Sequence, residues 1–157
     1  MKRETLFLKV VVLLLGIPVL ALCLLGLPSI AREAAKHYPM YWVYPVIIDM
    51  YVTAIPFYGA LYQAYKLLSY IDKNIAFSEL SVKTIKIIKY CAVSISLLYA
   101  IDMPFFYLVG EKDDAPGLIL LGLVLTFAPT VIAVFAAVLE KLLKDAIDIK
   151  SENDLTI

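Results

Sequence analysis

Histidine and cysteine are almost missing from the sequence: His37 stands alone, and Cys23 and Cys91 are the two thiols. A structural zinc site or an iron–sulfur centre draws three or four ligands from these residue types, so no Cys/His metal set can be assembled. Cys23 falls late in the first apolar run and Cys91 early in the third, which puts them near opposite faces of a bilayer. A disulfide needs Cα atoms within about 7 Å, so both remain free. The chain also lacks an HExxH pair, a phosphate loop and a GxSxG elbow. No cofactor, no metal and no catalytic set is implied, and the chain is expected not to be an enzyme. Charge is sparse as well: charged residues make up 18% and the formal net charge is zero. No overall field draws the protein to nucleic acid, and no direct nucleic-acid partner is expected.

Apolar residues are in excess. They make up 62% of the chain, against about 45–50% in an ordinary soluble domain, and the mean hydropathy is +0.87. A core of this size cannot bury that much apolar surface, so most of it must face lipid. Four apolar runs lie at about 6–30, 43–70, 87–109 and 117–143. They predict an all-α integral membrane four-helix bundle, antiparallel in up-down-up-down order, with a connection at 71–86 and a polar tail at 144–157. The first run is too long for a cleaved signal peptide, whose apolar core spans about 7–15 residues. Leu22 before Cys23 also departs from a lipoprotein site, where a small residue is wanted.

The segment KLLSYIDKNIAFSELSVKTIKIIK (Lys66 to Lys89) fixes the sidedness, because Lys- and Arg-rich connections stay on the cytoplasmic side. Of the 14 Lys and Arg residues, just Arg32, Lys36 and Lys112 then fall outside. Both termini are expected in the cytoplasm of a multi-pass cell-membrane protein. Residues 31–42 read as an external loop with an interfacial belt of Tyr38, Tyr41, Trp42 and Tyr44, in which His37 is an exposed loop residue. Asp72-Lys73-Asn74 reads as a turn. Ser78 reads as an N-cap, with Phe77 and Val82 as a hydrophobic staple, so a helix starts at Glu79. Lys83, Lys86 and Lys89 follow along one side of its first turns. They either set orientation alone or hold an anionic lipid or acidic partner.

Inside the second run, Asp49, Thr53, Pro56, Ala60 and Gln63 share one face and should point toward the other helices. Gln63 is expected to hydrogen-bond across helices. Tyr51, Tyr58, Tyr62 and Tyr65 lie opposite, where lipid or a second copy in a homo-oligomer is expected. In the third run the predicted stripe is Cys91, Ser94, Leu98 and Asp102. In the fourth it is Gly122, Thr126, Pro129, Ala133, Ala137 and Glu140, with Glu140 near a cytoplasmic lysine. Glu111, Asp113 and Asp114 form an acidic external turn without the glycine-turned spacing of a calcium loop.

Asp49 and Asp102 are the sharpest candidates for chemistry. Each lies about two turns inside a span end, on adjacent antiparallel helices, so they fall at similar depth. Charge inside a membrane is costly, and two neighbouring carboxylates share a proton. The pair is either a proton or cation site open to the outside or a neutral structural pair.

The segments AFSELSVKTIKIIKYCAVSISLLY (Ala76 to Tyr99), EKDDAPG (Glu111 to Gly117) and KLLKDAIDIKSENDLTI (Lys141 to Ile157) carry a resemblance. The chain resembles the small bacterial membrane proteins labelled domain of unknown function 2975, over nearly its whole length. That resemblance implies four spans in the plasma membrane and no assigned activity. It also implies a cytosolic helix-turn-helix regulator as a partner. Three functions follow in order: a non-enzymatic accessory or regulatory membrane protein, a small proton- or cation-coupled permease using Asp49 and Asp102, and, last, a membrane enzyme.

Overall fold

Each apolar run forms a long helical span in the computed structural model of the chain, which describes residues 3–155. Lys2, one of the cations assigned to the cytoplasmic side, and the Thr156-Ile157 ending of the resemblance lie outside the described residues. The first span joins α1 (Arg3–Ala21), a π-helical turn (Leu22–Gly26) and α2 (Leu27–His37). The others are α3 (Met40–Asp72), α4 (Glu79–Lys112) and α5 (Pro116–Leu155), and no strand occurs among the described residues. The spans run from 33 to 40 residues. At about 1.5 Å per residue they exceed a hydrocarbon core of about 30 Å, so their ends project beyond it.

The helices outrun the apolar runs. AREAAKH continues α2 instead of forming a loop, because its alanines favour helix and Glu33 pairs with Lys36 at 3.2 Å. The helix stops at Tyr38, which is extended (φ −130°, ψ 154°) because it precedes Pro39. α4 begins at Glu79 as expected, and extended Ser78 holds the N-cap position. Its hydroxyl does not cap; it donates back to the Ile75 carbonyl at 2.6 Å. Phe77 stays 60% exposed while Val82 is buried, so the predicted staple is not drawn in. The polar tail continues α5 to Leu155.

Two tight reversals close the other joints in the same way. Asn74 and Asp114 both take positive φ, 60° and 50°. Ile75 N–H reaches the Tyr70 carbonyl and Asn74 N–H the Ile71 carbonyl. Ala115 and Asp114 repeat this pattern onto Gly110 and Glu111. Both are Schellman caps, with Asn or Asp in the left-handed position that glycine usually fills.

α4 is the central rod, packed along α3 on one side and α5 on the other, while α1 lies along α3. The antiparallel bundle is therefore open between its flanking helices. The α4–α5 seam is steric. A Cβ at Gly122 would stand 2.7 Å from Met103 Sδ and 2.9 Å from the Phe106 ring, so only glycine admits that approach. Ser96 donates to the Thr126 carbonyl at 2.7 Å and meets the Thr130 hydroxyl at 2.6 Å. Ala133 and Ala136 complete the seam; Ala137, placed there by the sequence pattern, is exposed. Ser94 likewise faces out and bonds its own helix at Tyr90, leaving Ser96 to face α5.

The α1–α3 seam corrects the expected tyrosine face. Tyr51 donates to the Cys23 carbonyl and Tyr58 to the Gly16 carbonyl, each at 2.6 Å. Lys9 stands 5.2 Å over the Tyr65 ring and pairs with Asp72 at 2.8 Å. Residues 51, 58, 65 and 72 step by seven up α3, and 9, 16 and 23 step by seven along α1. Seven residues are close to two turns, so each series keeps to one stripe. Tyr51, Tyr58 and Tyr65 thus meet the first span, whereas Tyr62 stays 61% exposed, as expected of the face. The π-turn explains one bond. There Leu27 N–H reaches the Leu22 carbonyl, five residues back. The next donor in that register would be Pro28, which has no N–H, so the Cys23 carbonyl is left for Tyr51.

Candidate functional site

The midsection of the α3–α4 seam brings Asp49 and Asp102 together. Asp102 is 1% exposed and its carboxyl neighbours that of Asp49 across the seam. Thr53, also buried on this face, cannot donate to them, because its hydroxyl hydrogen goes to the Asp49 carbonyl of its own helix at 2.7 Å. One oxygen of each acid, Asp49 Oδ2 and Asp102 Oδ2, is buried with no hydrogen-bond partner. Among the described residues no lysine or arginine forms an ion pair with either. Tyr99, one turn before Asp102, is the further ionisable group beside both acids.

Depth follows from α4. Lys89 and Lys112 bracket about 35 Å of helix, and Asp102 lies about 20 Å from the first and about 15 Å from the second. That is deeper than the two turns expected from the sequence, because α4 continues past Val109 to Lys112. Two carboxyls at this depth with no counter-cation cannot both hold charge. The arrangement can keep one proton between them or admit a small cation. No group of three His, Cys, Asp or Glu side chains converges among the described residues.

The lysine trio divides. Lys83 and Lys86 are exposed, whereas Lys89 is half-buried and bonds Glu140 at 2.8 Å. Lys144 meets the other Glu140 oxygen at 3.5 Å. Glu140 therefore pairs with lysine as its position suggested. Lys9, Asp72 and Thr5 form a second buried set that sequence reasoning missed, with the Lys9 and Asp72 side chains 7% and 12% exposed. The seven-residue register of Lys9, Gly16 and Cys23 against Tyr51, Tyr58, Tyr65 and Asp72 was the signal for it. Gln63 does not behave as expected: its Oε1 is buried without a partner.

At the opposite end, the hairpins pull the aromatic belt into a cluster. Lys112 lies over the Tyr38 and Trp42 rings, 5.2 and 5.6 Å from their centroids, and donates to the His37 carbonyl at 3.2 Å. Tyr38 donates to Asp113. Below this cluster a cleft of about 290 Å³ opens among α2, α3, α4 and α5.

Four apolar spans and carboxylates buried between them describe a membrane protein. The profile of the family described as "Protein of unknown function (DUF2975)" matches residues 29–157. The chain belongs to this family. It is 63% identical over 158 residues, 99% of each chain, to the uncharacterized membrane protein YoaS of Bacillus subtilis (strain 168). No solved structure matches it. The matched region holds Asp49, Asp102, Lys89 and Glu140, and begins after the α1 residues that meet the tyrosines.

Proposed function

We propose that this DUF2975 member is a non-enzymatic accessory or regulatory protein of the plasma membrane, with both termini in the cytoplasm, that responds to protonation of its Asp49–Asp102 pair from the outer side. The observation that carries this reading is the two acids facing each other without a cation, each with an unpartnered buried oxygen. A proton taken up or lost there changes the charge between α3 and α4, the two most central helices. The cytoplasmic ends of those helices lead to exposed Lys83 and Lys86 and to the polar extension of α5. These supply a surface for a soluble partner, for which a helix-turn-helix regulator is the proposed class.

Infrared spectra of the protein in proteoliposomes test the site. A protonated carboxyl band should fade as pH rises and be absent from Asp49→Asn with Asp102→Asn. An unchanged band in that double variant would sink the assignment. Affinity capture from membranes tests the output: a cytosolic regulator should co-purify, and less of it when Lys83 and Lys86 are neutralised.

The same pair supports a second reading as a proton- or cation-coupled permease. Against it, the α3–α4 seam presents Gly59 against Cys91 and buried Ala92, a stretch that separates Thr53 and the two acids from Gln63. Proton or cation flux in proteoliposomes that vanishes in the double Asn variant would favour transport over sensing.

A further inference from the structure

We propose that the cleft at the hairpin end is a binding site for one zwitterionic aminophospholipid, of the phosphatidylethanolamine type, from the leaflet on that side. α3 and α5 diverge around the outer part of α4, and the gap is walled by apolar side chains, among them Val46, Met50, Phe106 and Leu121. An apolar gap open to the bilayer accepts an acyl chain, and its few polar groups decide which headgroup sits above it. Those groups are on the rim. Lys112 is held over Tyr38 and Trp42, both of which line the cleft, so its ammonium stands at the mouth. Asp113 is tied to the same rim through the Tyr38 hydroxyl. Exposed Asp114 and Glu111 flank it, and Glu111 also accepts from Tyr107 at 2.7 Å.

One cation beside several carboxylates complements a headgroup that carries both signs. The lipid phosphate meets Lys112 and the lipid ammonium meets Asp113. A lipid with an anionic phosphate and no ammonium gains the lysine but faces the carboxylates. A choline headgroup has no N–H to donate to Asp113. The tyrosine and tryptophan rings sit at headgroup level, where amphipathic rings collect. This site does not depend on the carboxyl pair deeper in the α3–α4 seam.

Native mass spectrometry of the full chain released from nanodiscs containing equal phosphatidylethanolamine and phosphatidylglycerol is the test. One retained phosphatidylethanolamine per chain is expected, in preference to phosphatidylglycerol. Lys112→Gln should lower its retention about fivefold, and Asp113→Lys should turn the preference toward phosphatidylglycerol. Leu121→Trp should fill the cleft and abolish retention. The two rim variants alter exposed residues, so they decide the matter even where Leu121→Trp fails to fold. Equal retention of both lipids, retention unaffected by Lys112→Gln and Asp113→Lys, or a dimer whose interface covers Leu121 would each overturn the proposal.

Discussion

Asp72 and Glu140 lie against lysines; Asp49 and Asp102 lie against each other. All four acids are on spanning helices and are largely removed from water. The first two are at the basic end, where Lys9, Lys89 and Lys144 reach them. The other two are near mid-span, beyond the reach of those lysines. A buried carboxylate must be matched by a counter-charge or kept neutral by a proton. The basic end uses the first solution and anchors the helices to one another. The midsection is left with the second, which answers to its surroundings, since a proton can come and go while a tethered lysine cannot.

Removing one member of a matched pair should have the largest effect. Lys9→Met removes the Lys9 ammonium from the buried Asp72 carboxylate, and should destabilise the protein by about 3 kcal/mol in thermal unfolding in detergent. Adding Asp72→Leu should recover most of that loss. If the double variant is as unstable as Lys9→Met alone, the cost is not one of unmatched charge. Next in size is the steric seam that holds α4 and α5 in register. Gly122→Leu drives a side chain into Met103 and Phe106 and should cost about 2 kcal/mol by the same assay.

Tyr51→Phe should cost about 1 kcal/mol, because it leaves the Cys23 carbonyl without a donor. In a Pro28→Ala background, which restores a backbone N–H to the π-turn, the same change should cost less; an equal cost would detach Tyr51 from the account of that turn. The smallest effect should fall on the unmatched pair. Asp102→Asn mimics a neutral acid and should shift stability by about 0.5 kcal/mol or less. A loss as large as that of Lys9→Met would mean that Asp102 is charged and paired, and would erase the contrast between the two regions.

The candidate site was legible in part. Asp49 and Asp102 could be matched by counting residues from two span ends, because antiparallel neighbours of equal rise bring equivalent depths together. Glu140 and its lysine were legible for the same reason. Lys9 and Asp72 were not, since one was only counted among the cytoplasmic cations and the other was read as a turn residue. Ser94 and Ala137 were assigned inward positions that Ser96 and Ala136 hold, because each residue moves a side chain by about 100° around a helix and a stripe of a few polar or small residues does not fix which face is inward. Tyr51, Tyr58 and Tyr65 were assigned with Tyr62 to lipid or a second copy because amphipathic rings satisfy either environment.

Hydropathy and the order of apolar runs determined four helical spans in an antiparallel series. The helices follow from the need of every backbone amide in a membrane to bond within its own segment, and the alternation from successive spans joined by short connections. Which faces meet was decided by tertiary structure alone. In lipid the medium is as apolar as the side chains, so burial does not choose a helix face, and the choice falls to close approach at Gly122, to carbonyls freed at the π-turn, and to charges that must find partners.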